Sequence, residues 1–460
     1  MMNSHLPSGW HICIISDVAK VNPSKITAEP DLVAGFVPMS LAPTDFNGQL
    51  QFEEKPWGEI QKSYTNFQNG DVIFAKVTPC FENGKAAIVD DLPNGIGAGS
   101  SEFYVLRPEQ GVISNRLLFA LLKTNAFAQN GAENMTGAVG LRRVPRAFVE
   151  GFEFPLPPLA EQKVIADKLD TLLAQVETTK ARLERIPEIL KRFRQSVLSA
   201  AVSGKLTEEW REGHSLSLPK EIKLGKIVSD GPKNGLYKSQ SFYGEGIRII
   251  RIDGFYDGEI VDWNNIKRLT LEELEYSKWK LEVGDILVNR VNSIEYLGKS
   301  AIVRELPEPA VFESNIMKFR VNPDLAIPEY IVKFLCSTTG LSQLRQNAKL
   351  AVNQASINQQ DVQNCIVYLP ELIEQTEIVR RVEELFAFAD SIEQKVTTAL
   401  ARVNNLTQSI LAKAFRGELT ADWRAANPEL ISGDNSAAVL LEKIKAERAV
   451  LVGKKTRKKA

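Results

Sequence analysis

The sequence contains few of the residues and patterns that build metal sites, disulfide frameworks or membrane spans. Its 460 residues include only four cysteines and three histidines. The cysteines show no CxxC spacing and the histidines show no metal-ligand spacing, so we expect reduced thiols, no bound metal and a cytoplasmic location. No apolar run approaches the ~18 residues of a membrane span, and no signal-peptide pattern is evident.

A large net charge of either sign is also missing. Lysine and arginine number 56 and aspartate and glutamate 57, which gives a formal net charge of −1. The molecule therefore has no overall field that would attract an anionic polymer, and any binding of nucleic acid must depend on local clusters of basic residues. The hydrophobic content of 44% and the length are those of a globular protein with two to four domains.

Motifs for catalysis and cofactor binding are not found either. Residues 297–300 read LGKS, the end of a phosphate-binding loop, but the first glycine of that motif is replaced by Ser293. Residues 95–99 read GIGAG, which could cradle a nucleotide, but the pattern is common and the overlapping residues 93–95 (PNG) are typical of a turn. The Asn-Pro-Pro-aromatic motif of amino-methyltransferases and the GxSxG and HExxH motifs are missing. Spacing alone leaves open a nuclease-like arrangement around Asp71 and Asp285, although both aspartates stand where a strand begins after a turn.

What the sequence does contain is an internal repeat. Residues 156–211 align without a gap on residues 369–424, with LPPLAEQ on LPELIEQ, QSVL on QSIL and GKLTEEWR on GELTADWR. Each copy has an apolar residue at alternating spacings of four and three, typical of two long helices that pack along each other. Pro187 in the first copy predicts a kink in a helix that continues past it. We assign the following residues to the helix pair or its partner interface: Leu172, Val176, Leu183, Leu190, Phe193, Leu385, Ile392, Val396, Val403, Leu406, Trp210 and Trp423.

The segments that precede the helices repeat more weakly. GDVIFAKV, which begins at Gly70, aligns with GDILVNRV, which begins at Gly284. Both segments mix short strands with at least one helix, so the predicted fold class is α+β, with two tandem mixed α/β domains and two long helices. We divide the chain into a first domain (1–155), a first helix region (156–212), a second domain (213–368), a second helix region (369–425) and a polar, basic tail (426–460).

Several loops carry the residue types that contact nucleic acid. Lysine and arginine contact phosphates or guanine, and asparagine and glutamine pair with adenine in the major groove. The loops stand at corresponding places in two similar domains, which favours a shared binding role over ordinary solvent-exposed turns. The candidate DNA-binding residues are Lys20, Asn22, Lys25, Lys76, Thr78, Arg142, Arg143, Lys233, Asn234, Lys238, Ser239, Arg290, Asn292, Asn353, Gln354 and Asn358. The basic face at 180–194 and the basic C-terminal end remain open to phosphate contact or to solvent exposure.

These features together resemble the specificity (S) subunits of type I restriction–modification enzymes. The helix segments PLPPLAEQKVIADKLDTLLAQV and ARVNNLTQSILAKAFRGELTADWR are similar to the enterobacterial K-type members, family A. The resemblance implies that each domain is a target-recognition domain reading one half of a split DNA site. It also implies that the two helices form an antiparallel coiled coil, with internal pseudo-two-fold symmetry, which sets the spacer between the half-sites.

The resemblance further implies the partners of the chain. They are double-stranded DNA, two modification (methyltransferase) subunits docked on the helices, and two restriction (translocase and nuclease) subunits, with no membrane. S-adenosylmethionine, ATP and Mg²⁺ are expected in the partner subunits, so this chain is expected to be non-catalytic and without a cofactor.

Two other hypotheses make different predictions. A coiled-coil adaptor would show no sequence-dependent DNA binding. A self-contained methyltransferase or nuclease would bind S-adenosylmethionine or cut DNA with a metal ion, and the missing motifs argue against it.

Overall fold

The computed structural model describes residues 6–138, 140–352 and 354–457, with side chains up to Arg448. The chain divides into two compact units, of which unit 1 comprises residues 1–184 and 398–460 and unit 2 comprises residues 185–397. Each division falls inside a long helix, so each unit combines one globular domain with parts of both long helices. Within the described residues, no helix is both long and apolar enough to cross a lipid bilayer.

The helices range from single turns to two elements of 44 residues. In chain order they are α1 Ile15–Val18, α2 Trp57–Ile60, α3 Asn115–Leu122, α4 Asn125–Glu133, α5 Arg146–Gly151, α6 Leu159–Val202, α7 Glu208–Gly213, α8 Glu273–Trp279, α9 Pro328–Cys336, α10 Thr338–Arg345, α11 Gln359–Gln363, α12 Leu372–Phe415, α13 Ala421–Ala426 and α14 Ala437–Arg457. The two long helices, α6 and α12, are the elements that the internal repeat predicts, and α6 is continuous through Pro187.

The strands are short and belong to small sheets. In unit 1 they are β1 His11–Ile14, β2 Ala19–Val21, β3 Val33–Val37, β4 Glu53–Pro56, β5 Thr65–Gln68, β6 Val72–Ala75, β7 Ala86–Ile88, β8 Ile96–Gly99, β9 Phe103–Pro108, β10 Thr136–Ala138, β11 Leu141–Arg143 and β12 Glu153–Leu156. In unit 2 they are β13 Lys220–Lys223, β14 Val228–Asn234, β15 Tyr243–Ile250, β16 Phe255–Tyr256, β17 Gly258–Ile260, β18 Arg268–Leu269, β19 Ile286–Asn289, β20 Val291–Asn292, β21 Ser300–Ile302, β22 Ala310–Phe312, β23 Ile316–Val321, β24 Lys349–Ala351, β25 Gln354–Ser356 and β26 Ile366–Leu369.

Unit 1 is built on two four-stranded sheets, with strand orders β2-β9-β6-β7 and β4-β3-β8-β5. All four residues of strand β6 are buried. Successive side chains of a strand point to opposite faces, so the strand contributes to a core on each side. Val72 and Phe74 therefore join the core that also contains α3 and the start of α6, whereas Ile73 joins a separate core with Phe67 and Val105.

Unit 2 repeats this division around β19, the counterpart of β6. Its larger sheet has the order β14-β23-β19-β21-β17-β16, and a smaller sheet has the order β18-β15-β22. Ile286 and Val288 of β19 face the core shared with the long helices, and Leu287 faces a second core that contains Phe255 and Phe312. The alternation of buried residues thus has the same outcome in both domains.

In both units the start of one long helix packs against the end of the other. The core of unit 1 contains Ile165 and Leu169 from the start of α6 together with Leu411 from the end of α12. The core of unit 2 contains Ala201 from the end of α6 together with Ile378 from the start of α12. The helices are therefore antiparallel in each unit, and the predicted fold class is confirmed.

The apolar face of the helices departs in places from a strict seven-residue repeat. Among the predicted positions, Val176, Leu190, Val396 and Val403 are buried, whereas Leu172, Leu183, Phe193, Leu385 and Ile392 are half-buried. Leu406 is 45% exposed, so it is not part of the seam, and only a contact with a partner remains predicted for it. Leu173 and Leu411 are buried instead. A straight helix drifts by about 20° per heptad, which moves the buried face to these neighbouring positions.

A buried cluster joins the start of α6 to the segment after α12 in unit 1. Thr420 Oγ1 donates to Glu161 Oε1 at 2.6 Å, and the Arg424 guanidinium donates to the same oxygen. The Trp10 indole N–H donates to Glu161 Oε2 at 2.8 Å. Glu161 and Thr420 are fully buried, so the hydrogen bonds and the ion pair offset the cost of removing the carboxylate from water.

The corresponding cluster in unit 2 joins the start of α12 to the segment after α6. Thr207 Oγ1 donates to Glu374 Oε1 at 2.7 Å, and Arg211 Nε donates to it at 3.0 Å. We refer to these two sets, Glu161–Thr420–Arg424 and Glu374–Thr207–Arg211, as the helix-end clusters. Each cluster takes its carboxylate from one sequence copy and its threonine and arginine from the other.

The residue after each cluster carboxylate anchors the globular domain to the helix. Gln162 accepts the N–H of Ser114 at 2.9 Å and donates to the carbonyl of Val112 at 2.8 Å. Gln375 makes the same pair of backbone hydrogen bonds in unit 2, both at 2.9 Å. The repeated Glu-Gln dipeptide therefore serves two structural purposes, and neither is evident from the sequence alone.

Candidate nucleic-acid interface

Unit 1 presents an exposed hairpin formed by β10 and β11. The strands pair antiparallel with Thr136 opposite Arg143, and every described residue from 136 to 142 is exposed. The residues on either side, Met135 and Val144, are buried in the main core. The Tyr104 hydroxyl also donates to the carbonyl of Val144 at 3.0 Å. The base of the hairpin is therefore fixed while its tip meets solvent.

Four of the predicted site residues of unit 1 meet at this hairpin. The N–H of Arg142 donates to Thr78 Oγ1 at 3.0 Å, and Lys76 Nζ donates to the carbonyl of Ser101 at 2.8 Å. Arg143 forms a two-pronged ion pair with Glu102, with its Nε at 2.9 Å and its Nη2 at 2.7 Å from the carboxylate oxygens.

The two arginines of this cluster differ in how far their positive charges are neutralised by nearby carboxylates. The hydrogen bonds from Arg143 lower the pKa of Glu102, so the carboxylate stays ionised and Arg143 stays partly neutralised. Arg142 reaches Glu82 only at 3.5 Å, at the limit of hydrogen bonding, and its side chain is exposed. Arg142 is therefore the guanidinium of this cluster best placed to contact an external phosphate or base.

Unit 2 presents the equivalent hairpin from β24 and β25, extended by β20. Asn292 of β20 pairs with Ala355, and Gln354 lies exposed at the turn. Arg290 Nη1 donates to the carbonyl of Ser314 at 3.0 Å. The structure therefore brings Arg290, Asn292 and Gln354 together, whereas Asn353 lies outside the described residues.

The two hairpins correspond position by position. In unit 1 a bridge joins Val77 to Arg143, and in unit 2 the same type of pairing joins Val291 to Ser356. Both hairpins pack beside the loop that follows the central buried strand of their domain, β6 in unit 1 and β19 in unit 2. The same surface is therefore built twice from loops that differ in sequence.

Three other candidates of unit 1 hold backbone or charge contacts elsewhere in the domain. Asn22 has a φ of 49°, and its side chain accepts the N–H of Val105 at 3.1 Å, so it stabilises a turn. Lys25 donates to the carbonyl of Lys62. Lys20 lies 3.4 Å from Glu109 and remains exposed. Of these three, only Lys20 keeps a largely free charged group.

The loop of unit 2 around β14 is braced by ion pairs. Lys233 lies 2.9 Å from Asp230 and Lys238 lies 2.6 Å from Glu275, and these contacts lower the pKa of both carboxyl groups. Between the two lysines, Tyr237 is 81% exposed. The sequence gives no signal for that exposure, because tyrosine is intermediate between the mostly buried and the mostly exposed residue types.

Among the remaining candidate DNA-binding residues of unit 2, some side chains are exposed and others hold local structure. Asn234 is exposed, and Ser239 Oγ lies 2.8 Å from Ser241 Oγ. Asn358 caps helix α11 by accepting the N–H of Gln360 at 2.8 Å. A capping role leaves the Asn358 side chain little freedom to pair with a base.

The aspartates considered for a nuclease-like site form structural ion pairs. Asp71 accepts two hydrogen bonds from Arg107, both at 2.8 Å. Asp285 accepts from Lys318 Nζ at 2.9 Å and also pairs with Arg320. Each aspartate stands immediately ahead of a buried strand, β6 or β19. Within the described residues, no group of three or more histidine, cysteine or acidic side chains is arranged to hold a metal ion.

The aromatic residues that we assign to the partner interface are half-buried. The ring of Trp210 stacks on His214 with the centroids 4.1 Å apart. Trp423 lines a groove of unit 1 together with Leu159 at the start of α6 and Leu440 of α14.

Comparison with known families places the chain among its relatives. The family model of the type I restriction modification DNA specificity domain matches residues 7–188 and again residues 228–402. The chain belongs to this family. The resemblance inferred from the repeated helix segments is confirmed, and the double match agrees with the two units.

Individual specificity subunits are similar over most or all of the chain. The type I restriction enzyme EcoKI specificity subunit of Escherichia coli (strain K12) is 40% identical over 473 residues, which cover 100% of both chains. The StySPI specificity subunit of Salmonella potsdam is 40% identical and covers 92% of this chain and 97% of its own. The EcoBI specificity subunit of Escherichia coli is 47% identical over 70% of both chains.

Solved structures share the fold at lower identity. The HsdS subunit from Thermoanaerobacter tengcongensis has a TM-score of 0.62 at 20% identity, covering 91% of this chain and 99% of that one. A chain from a structural study of assembly and conformational transition of the type I R-M system has a TM-score of 0.67 at 20% identity, covering 90% and 100%.

Proposed function

We propose that this chain is the sequence-specific DNA-recognition subunit of a type I restriction–modification complex. Residues 1–155 and 213–368 act as two target-recognition domains, and each domain reads one half of a split DNA site. The observation that carries the proposal is the repeated interface, in which a hairpin fixed at its base lies beside a loop rich in basic and amide groups. A two-stranded ribbon of this kind fits the major groove of B-DNA.

Joining two such domains in one chain multiplies their discrimination. A good two-pronged contact between a side chain and a base is worth about 1–3 kcal/mol of discrimination, so one small domain distinguishes few sites. Two domains on one chain require both half-sites at a fixed separation, as paired DNA-binding modules do. In the proposed function, the paired helices α6 and α12 set the number of base pairs between the half-sites.

Catalysis belongs to other subunits in this proposal. Two modification subunits dock on the helix regions 156–212 and 369–425, whose repeated sequences offer two similar surfaces to identical partners. Two restriction subunits complete the complex in the cytoplasm. S-adenosylmethionine, ATP and Mg²⁺ bind to those subunits, and the role of this chain is to select and position the DNA.

The proposal is tested with the chain purified together with its modification subunits. The DNA site is first mapped from the methylated adenines of a genome that the complex has modified. At moderate salt we expect binding to a duplex with the mapped site to be about 1,000-fold or more tighter than binding to a scrambled duplex. Equal binding to both duplexes would contradict the proposal and would favour the coiled-coil adaptor.

A further inference from the structure

The hairpin of unit 2 exposes two aliphatic side chains at its tip. Leu350 is 75% exposed and Val352 is 91% exposed. The base of the same hairpin is fixed, because Ala355 and Ile357 are buried in the main core of the unit. Water disfavours contact with aliphatic groups, so two of them side by side on a fixed projection indicate a surface that is covered when the protein acts.

The neighbours of these aliphatic groups indicate what covers them. Lys349 and Gln354 are exposed on the same hairpin, and Arg290 and Asn292 lie on or beside the adjoining strand β20. The described neighbours on the hairpin and on strand β20 therefore add basic and amide groups to the aliphatic pair. The edges of DNA bases in the major groove have the matching composition, with hydrogen-bonding groups around the C5-methyl group of thymine.

Val352 also loses little side-chain entropy when it contacts a partner. Branching at Cβ restricts Val352 to few rotamers, so little side-chain freedom is lost when its methyl groups meet a partner. Its position in the turn between Ala351 and Gln354 places it at the end of the hairpin.

The hairpin of unit 1 lacks this feature at the position of Leu350. The corresponding residue is Gly137, with a φ of 125°, where a Cβ atom would come within 2.7 Å of the carbonyl oxygen of Leu141. A side chain cannot be accommodated there without moving the hairpin. Unit 1 therefore has no side chain at the position of Leu350, and the described aliphatic residue of its hairpin, Leu141, is 52% exposed on the opposite strand.

We propose that Leu350 and Val352 contact thymine methyl groups in the major groove of the half-site read by unit 2, so that an A·T pair is preferred there. This inference rests on the proposed function and names one chemical feature that unit 2 reads. Contact with a thymine methyl group buries apolar surface on both sides and is lost when the base carries hydrogen in its place.

The test replaces each thymine of the mapped site by deoxyuridine, one position at a time on either strand. Deoxyuridine keeps the hydrogen-bonding groups of thymine and lacks only the methyl group. The complex of the chain with its modification subunits is titrated with these duplexes. At one or two positions of one half-site we expect binding about fourfold weaker, since burial of one methyl group is worth ~0.8 kcal/mol.

The double variant Leu350→Ser/Val352→Ser links this effect to the hairpin. On thymine-containing DNA we expect it to bind about tenfold more weakly, and its ratio of thymine to uracil affinity should fall to about one at the sensitive positions. The matched control is Leu274→Ser, which alters an 84% exposed leucine on α8 of the same unit and should bind as the unaltered chain does.

The outcomes separate this inference from the proposed function. A complex that prefers the mapped site but binds every uracil duplex as tightly as the thymine duplex overturns the thymine contact alone. A double variant that keeps the full thymine-to-uracil ratio also overturns it. A complex that does not distinguish the mapped site from a scrambled duplex refutes the proposed function itself.

Discussion

Unit 1 and unit 2 are most alike where the long helices are anchored and least alike at the exposed loops. Both units bury a glutamate at the start of a long helix against a threonine and an arginine of the other sequence copy. In contrast, the hairpin of unit 1 carries Gly137 and Arg142 where that of unit 2 carries Leu350 and Ala355. Similar helix anchors and different hairpins are what we expect if selection kept a common scaffold and varied the two binding surfaces.

A second difference lies in the completeness of the helix-end clusters. Trp10 satisfies the second oxygen of Glu161, whereas Oε2 of Glu374 is buried without a hydrogen-bond partner among the described residues. The segment that carries Trp10 also holds the tail, because the N–H of Ala437 donates to the carbonyl of Gly9 at 2.9 Å. Leu441 of α14 is buried in the core of unit 1, so the tail belongs to that unit.

The largest effect should come from removing a helix-end carboxylate. Glu161→Ala or Glu374→Ala leaves a half-buried Arg424 or a buried Arg211 without its carboxylate partner, and the expected loss is about 3–5 kcal/mol of unfolding free energy in the affected unit. Urea denaturation followed by hydrogen exchange would locate the loss. The control Glu212→Ala alters an exposed residue and should change stability by no more than about 0.5 kcal/mol. A near-neutral result for either glutamate would show that the two clusters are not equivalent.

The next largest effect concerns DNA affinity rather than stability. Arg142→Ala should weaken binding to the mapped site by about 1–3 kcal/mol and relax specificity in one half-site only. Binding is measured on duplexes altered in either half-site, with Arg416→Ala as a control of equal charge change. A uniform loss on all duplexes, with a smaller salt dependence, would instead assign Arg142 to a phosphate.

The difference between the two clusters can be removed by a single substitution. Trp10→Phe keeps an aromatic ring but deletes the pyrrole ring with its N–H, so that Glu161 Oε2 loses its donor as in unit 2. We expect a loss of about 1–3 kcal/mol, the usual cost of an unsatisfied buried acceptor. Unchanged stability in urea denaturation would mean that the donor is replaced by solvent.

The last expected effect is a pair of opposite pH dependences at one equivalent position. Burial lowers the pKa of Lys123 in unit 1 from 10.5 to about 8 and raises the pKa of Cys336 in unit 2 from 9.0 to about 12. Between pH 8 and 10.5 the unfolded chain binds more protons at Lys123, so this residue makes stability rise with pH. Above pH 9 the folded chain keeps the Cys336 proton that the unfolded chain loses, so stability falls with pH.

Two variants test these slopes. Lys123→Met should remove the rising contribution in unit 1, and Cys336→Ala should remove the falling contribution in unit 2, as measured by hydrogen exchange in each unit from pH 8 to 10.5. If either variant keeps the slope of the unaltered chain, another group is responsible for it.

Much of the fold is predictable from the sequence because it is repeated. The internal alignment predicts two long helices and two mixed domains, and the heptad spacing predicts that the helices pack together. The helix-end clusters are missed, although Glu161 and Arg424 stand in visibly repeated motifs. Self-comparison shows which positions are alike but not that each copy contacts the other.

The binding surface is less predictable because residue type does not determine which group a side chain meets. Asn22 and Asn358 have the chemistry to pair with adenine, yet their amides stabilise a turn and a helix cap. Arg142 and Arg143 are adjacent in sequence, but Arg143 is held by Glu102 and Arg142 is not. The exposure of Leu350 is equally unpredictable, because the hydrophobic pattern of the sequence shows only that this residue is apolar.

The central claim is that each unit reads its own half of a split site. The most direct test maps methylated adenines in genomes modified by the complex with the unaltered chain and with Leu350→Ser/Val352→Ser. The account predicts a split motif in which the variant relaxes or changes one half, while the other half and the spacer stay the same. A variant that alters both halves together, or an unaltered complex whose methylation shows no split motif, would contradict it.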